Sequence, residues 1–175
     1  MALNQVRVTG NDTIYLGSTE GVGGSSDNIV KSFADGDYAR VTFPNDIMNF
    51  TIGKNRNMIA AYNAMGTLAE LELRLLRGSY EDAWLNGRFP TIDDDQLSFK
   101  YIFAEIHKDL GKTDNSGSQT AKISETYVLN NGIITKAPEI ISNVSGSTDQ
   151  GVVIWQIRFA SFKREVTGID GTELK

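Results

Sequence analysis

The sequence contains no cysteine, only three prolines and a single histidine. Without cysteine, disulfide staples, thiolate metal sites and a cysteine nucleophile are excluded. Pro44, Pro90 and Pro138 stand against 17 glycines, a balance that suits a strand-and-turn chain whose turns use positive φ. Nowhere do about 18 apolar residues run together, the length a membrane helix needs. The first eight residues lack the basic and apolar regions of a signal peptide. The expectation is a protein kept in the cytosol, with no membrane span. Positive charge is short as well. The net charge is −5, which repels a polyanion and argues against gripping DNA or RNA through phosphates, though not against DNA sliding past. Sequons at Asn11, Asn49 and Asn143 carry no weight without a secretion signal. No internal repeat occurs, and 175 residues fit a single domain, 1–175, able to bury its own core.

What the chain does have is short alternating segments separated by turn residues. Residues 4–8 and 13–16 predict two strands of a hairpin around Gly10, Asn11 and Asp12. Residues 17–28 are almost all Gly, Ser, Thr and other small or polar types and predict a flexible loop, after which 29–33 resumes an apolar run. Asp35, Gly36 and Asp37 form a turn before a strand at 38–43, stopped at Pro44. A strand at 48–52 ends at Gly53, Lys54 and Asn55, and 59–62 is another. The clearest period of two lies in 68–76, where Leu71, Leu73 and Leu75 point one way and Glu70, Glu72 and Arg74 the other. Leu, Glu and Arg also favour helix, but strict alternation and the stop at Gly78 and Ser79 select a strand. Ser79 can cap a short helix carrying Glu81 and Asp82 in its first turn and ending at Gly87, with Tyr80 and Trp84 on one face.

Residues 97–107 predict a long strand apolar on both faces, as a central or subunit-covered strand is. Residues 108–122 predict a second flexible loop; Asn130, Asn131 and Gly132 predict a tight turn between strands at 125–129 and 133–136. A final strand covers 152–162, with Trp155, Ile157 and Phe159 on its buried face, and residues 167–175 read as a frayed tail. The predicted fold is mostly β, a β-sandwich or barrel with one short flanking helix and long loops.

Chemistry is sparse. His107 has no nucleophile or metal partners in any recognisable motif. Asp93, Asp94 and Asp95, or Asp35 with Asp37, offer hard oxygen ligands without the spacing of a calcium loop. Gly21, Gly23 and Gly24 lack the Lys-Ser/Thr pair of a phosphate loop. The basic cluster Lys54, Asn55 and Arg56 suits contact with an acidic neighbour or solvent. The expectation is therefore no enzyme, no metal and no cofactor. Long strands with apolar surface left over point instead to a subunit completed by copies of itself.

Between 35 and 86 several words accumulate: Asp35-Gly36-Asp37, then Val41-Thr42-Phe43-Pro44-Asn45-Asp46, Gly53-Lys54-Asn55 with Asn57, Tyr62-Asn63-Ala64 with Gly66, and Arg77-Gly78-Ser79 followed by Asp82, Leu85 and Asn86. On these the chain resembles bacteriophage tail tube proteins. The resemblance implies hexameric rings stacked into a hollow tube that conducts DNA into the host, with neighbouring sheets joined into an inner β-barrel. It implies location in the virion tail after assembly in the bacterial cytoplasm, with sheath, baseplate and tail terminator proteins as partners. It makes Glu70, Glu72 and Arg74 a lumen or inter-ring face, Lys54, Asn55 and Arg56 an inter-subunit turn, and Lys112, Asp114, Asn115 and Gln119 an inter-ring loop. A neck, sheath or baseplate component, or a type VI secretion tube, fits the same words. A β-barrel binding module for a small ligand or carbohydrate is the alternative of another class, and it requires an aromatic-lined pocket. A metal-dependent hydrolase using Asp93, Asp94 and Asp95 is a third.

Overall fold

A computed structural model describes residues 5–8, 10, 12–18, 29–89, 100–113, 119–142 and 146–167. In chain order the elements are β1 (Gln5–Val8), β2 (Thr13–Gly17), β3 (Ala39–Thr42), β4 (Met48–Ile52), β5 (Met58–Tyr62), a 3-10 turn (Ala64–Thr67), β6 (Ala69–Leu76), α1 (Tyr80–Asn86), β7 (Ile102–Thr113), β8 (Gln119–Lys136), a second 3-10 turn (Thr148–Gly151) and β9 (Val152–Thr167). The chain is mostly β with one α-helix, and its strand path stays open, without closing into a barrel, among the described residues.

The chain forms two compact units, each built from separated segments. The first takes Met1–Val30, Ile102–Leu129 and Lys163–Lys175. Here β1 and β2 both pair antiparallel with β7, Gln5 to Val8 opposite Thr113 to Leu110 and Thr13 to Gly17 opposite His107 to Phe103. They lie in line on one edge of β7, so the hairpin expected around Gly10 does not form. Gly10, at φ 72°, falls where the register is offset, between Val8 opposite Leu110 and Thr13 opposite His107. Turn residues permit such an offset as readily as a reversal. Ile14, Leu16, Val30, Ile102, Ala104 and Leu129 make the core.

The second unit takes Lys31–Tyr101 and Asn130–Phe162. Its centre is the pairing of β6 with β9, Ala69 to Leu76 opposite Phe159 to Val152. Directly opposed residues share a face. Leu71, Leu73 and Leu75 are therefore buried with Ile157, Trp155 and Val153, as the alternation predicts. β3 flanks β6, with Arg40 opposite Glu72 and Thr42 opposite Glu70. The helix starts where the sequence placed it. Ser79 accepts a hydrogen bond from the Asp82 amide at 3.3 Å, and the Asp82 carboxylate accepts from the Gly78 amide at 2.8 Å, a reciprocal cap. The other Asp82 oxygen accepts from the indole N–H of Trp155 at 2.9 Å. The inward face of α1 carries Leu85 and Asp82 rather than Tyr80, which is exposed, while Trp84 lies under the Arg88 guanidinium at 3.4 Å.

Two further expectations change. Residues 108–122 are not one loop: β7 continues to Thr113 and β8 begins at Gln119. Residues 110–113 are held in strand by cross-strand partners in β1, Val8 back to Gln5. The turn expected at Asn130, Asn131 and Gly132 is also absent, because β8 runs through it. Asn131 takes φ 54°, so the sequence that suits a tight turn supplies a single left-handed residue within a strand, as in a bulge. Of the loop expected at 17–28, Gly17 belongs to β2 and residues 19–28 lie outside the described residues. Of the tail, Thr167 ends β9 and the remainder also lies outside.

Candidate assembly surface

The β4–β5 hairpin is a two-stranded sheet by itself, and every residue of both strands is exposed. Its register places Met48 opposite Tyr62, Phe50 opposite Ala60 and Ile52 opposite Met58. These six share one face, and all are apolar. The other face carries Asn49, Thr51, Ile59 and Ala61. Phe50 is 67% exposed, Met58 66% and Tyr62 64%. An isolated two-stranded hairpin is marginal in water, so its shape depends on the base. There Asn63 donates from its side-chain amide to the Asp46 carbonyl at 2.9 Å and from its backbone to the Ile47 carbonyl at 2.9 Å. Asn45 donates to the Met65 carbonyl at 3.0 Å. Gly66 is pressed against this crossing: a Cβ there would lie 2.5 Å from the Asp46 carbonyl oxygen and from the Ile47 Cα. Only glycine allows so close an approach.

At the hairpin tip are Lys54, Asn55 and Arg56, all exposed, with Arg56 at φ 62°. The tip closes through Gly53, whose amide donates to the Asn57 carbonyl at 2.8 Å. The turn predicted at this position thus presents two cations at the end of an apolar face.

Glu70, Glu72 and Arg74 lie on the outer face of β6, half-buried, opposite Arg158, Gln156 and Ile154 of β9. Arg158 donates from Nε to Glu70 at 2.8 Å, a cross-strand ion pair at one end of the row. Beside it runs a groove of about 300 Å³ lined by Glu72 and Arg74, by Val152 and Ile154, and by Glu139 and Ile141 among others. Arg77 fixes its wall, donating to the carbonyls of Glu139 at 3.0 Å, Gln150 at 3.1 Å and Val152 at 3.2 Å. No aromatic side chain of the described residues lines the groove. It therefore lacks the stacking platform that a carbohydrate-binding module would use.

In the first unit the densest polar cluster surrounds Glu125, the buried acid of β8. Its carboxylate accepts from the Tyr127 hydroxyl at 2.7 Å and from Arg164 Nε at 2.5 Å. Burial by itself would raise its pKa. The hydrogen bonds from Tyr127 and Arg164, with the charges of Arg164 and Lys108, outweigh that and hold it below the ordinary carboxylate value. Burial, followed by the hydrogen bond to Glu125 and then its charge, pushes the Tyr127 phenol up. A carboxylate whose ionised form is favoured by two donors is not poised as an acid–base catalyst at neutral pH. His107 sits nearby in β7, 3.2 Å from Thr126 Oγ1 and 2.8 Å from Glu105, its ring edge-on to Tyr15. These contacts account for the histidine as part of the strand packing.

Of the remaining candidates, Lys112 lies in β7 opposite Val6 and Gln119 begins β8, whereas Asp114 and Asn115 lie outside the described residues. Asp93, Asp94 and Asp95, and Gly21, Gly23 and Gly24, also lie outside them. Asp35 and Asp37 are exposed around Gly36, at φ 89°. Among the described residues no cluster of three or more acidic or histidine side chains is arranged to hold a metal, and no helix is long and apolar enough to cross a membrane. Sequence reading missed the continuous apolar face of the hairpin. Its signal was available in the two strands read together across the 53–57 turn. Neither a protein-family model nor a curated protein matches this chain.

Proposed function

We propose that the chain is a structural subunit that assembles into hexameric rings stacked as a hollow tube, a phage tail tube through which DNA is delivered to the host. The observation that carries this reading is the β4–β5 hairpin. Its base is locked by Asn45, Asn63 and Gly66, while its six-residue apolar face is left exposed by the described residues. A face of that kind, held in shape and left open, belongs to a surface that a neighbour covers. In the tube, joining of sheets between copies would complete the barrel that the single chain leaves open. The net charge of −5 suits a wall along which DNA slides without adhering. Sheath, baseplate and terminator proteins would bind the outside and ends of such a tube.

Negative-stain electron microscopy of the purified protein at rising concentration is expected to show rings or tubes. A compact monomer at every concentration would overturn the proposal.

A further inference from the structure

We infer that the apolar face of the β4–β5 hairpin of one copy seats in the groove beside β6 and β9 of a second copy, with the basic hairpin tip against the groove's acids. The inference rests on the assembly reading above and assigns the contact that builds it. Three observations support the pairing.

The first is chemical match. The groove offers Ile141, Val152 and Ile154, of which Ile141 is 54% exposed and Ile154 41%. Those aliphatic side chains are the kind of surface that Met48, Phe50 and Ile52 require. The second is charge. The groove lining has three carboxylates and two cations; Lys136 pairs with Glu139 at 3.2 Å, which leaves Glu72 and Asp149 against Arg74, a balance of one negative charge. The hairpin tip brings Lys54 and Arg56 and no acid. Opposite signs at the two ends of a contact fix its direction and suppress the reversed one. The third is preorganisation. Arg77 clamps the groove wall through three carbonyls, and Asn45, Asn63 and Gly66 hold the hairpin base. Neither surface has to be ordered on contact, which spares the association that cost.

The contact joins two different surfaces of the same chain, so each copy offers both halves, and repetition yields a closed ring or an open helix. The alternative, two hairpins face to face, would cover the apolar residues but leave Lys54 and Arg56 without counter-charge. It would also stop at a dimer. On this assignment Glu72 and Arg74 belong to a subunit contact.

The absence of cysteine permits a direct test with Phe50→Cys and Ile154→Cys, both at exposed positions. A disulfide forms only where Cα atoms come within about 7 Å. Mixing the two single variants under mild oxidation is expected to give a covalent dimer, and the double variant a ladder of covalent oligomers. Lys54→Glu with Arg56→Glu is expected to slow the cross-link by about tenfold, and adding Glu139→Lys with Asp149→Lys to restore it, with circular dichroism confirming that each variant folds. Cross-linking of Phe50→Cys to itself in preference to Ile154→Cys would overturn the inference. Rings or tubes visible without any hairpin-to-groove cross-link would overturn it too, and leave the assembly reading standing. A protein that neither assembles nor cross-links would overturn both.

Discussion

Glu125 shows how a single residue can be legible in chemistry and hidden in sequence. It sits in a strand whose neighbours alternate, and nothing in residues 123–129 marks it as the acid that Tyr127 and Arg164 will enclose. Because its folded pKa is lowered from 4.5, its stabilising contribution is fully present above that value and is lost as pH falls through the lower folded value. Arg164 is half exposed, so solvent screening keeps the ion pair modest. Glu125→Gln is expected to cost about 1–2 kcal/mol at neutral pH, near the usual range for a charged hydrogen bond. The two proteins should converge in acid, where both side chains are neutral. Urea unfolding from pH 7 down to pH 3 would check this. A gap that persisted unchanged at low pH would refute the role assigned to the charge. Asp82 joins helix cap and core in the same residue, receiving Gly78 on one oxygen and Trp155 on the other. The sequence shows the first of these roles by its spacing from Ser79. The second needs Trp155 brought across 73 residues.

Among the elements, the β4–β5 hairpin stands apart because every residue of its strands is exposed among the described residues. Its strands and turn were readable from alternation and from Gly53, Lys54 and Asn55. What holds it upright is the base, where Gly66 lets Ala64–Thr67 cross the backbone of Asp46 and Ile47. Gly66→Ala introduces a Cβ into backbone that cannot yield like a flexible side chain, and is expected to cost about 1–3 kcal/mol. The loss should be local: amide hydrogen exchange of residues 48–52 and 58–62 should accelerate before that of β6 and β9. Uniform acceleration throughout the unit would show that the hairpin is not an independent element. The contrasting case is β7, whose residues 108–113 carry no apolar period and still form a strand. Residues 110–113 of this stretch pair with β1, and strand formation by a partner leaves little mark on the partnered sequence.

Assembly tests the whole molecule. Replacing Phe50 and Met58 by serine removes two of the most exposed apolar side chains of the hairpin face without opening a cavity. The unfolding free energy of the isolated subunit should change by no more than about 0.5 kcal/mol, the small range of surface substitutions. The concentration needed for rings or tubes should rise by at least about tenfold, since burying each side chain is worth about 1.5–3 kcal/mol. Light scattering against concentration, paired with thermal unfolding, separates the two effects. Unchanged assembly would remove the hairpin face from the interface.

The sequence by itself determined the elements whose information is local. The leucine alternation in β6, the Ser79 cap, the 53–57 turn and the buried stripe of β9 all depend on side-chain period or backbone preference within a few residues. Tertiary structure decided the rest. It decided that β1 and β2 lie in line on β7 and not against each other, that β8 passes through Asn131 without turning, that Glu125 meets Arg164, and that the apolar side of the hairpin faces outward. Each of these turns on which distant segment comes alongside. A turn residue sets what the backbone can do, but the hydrogen-bonding partner sets what it does, and that partner is chosen by burial over the whole chain.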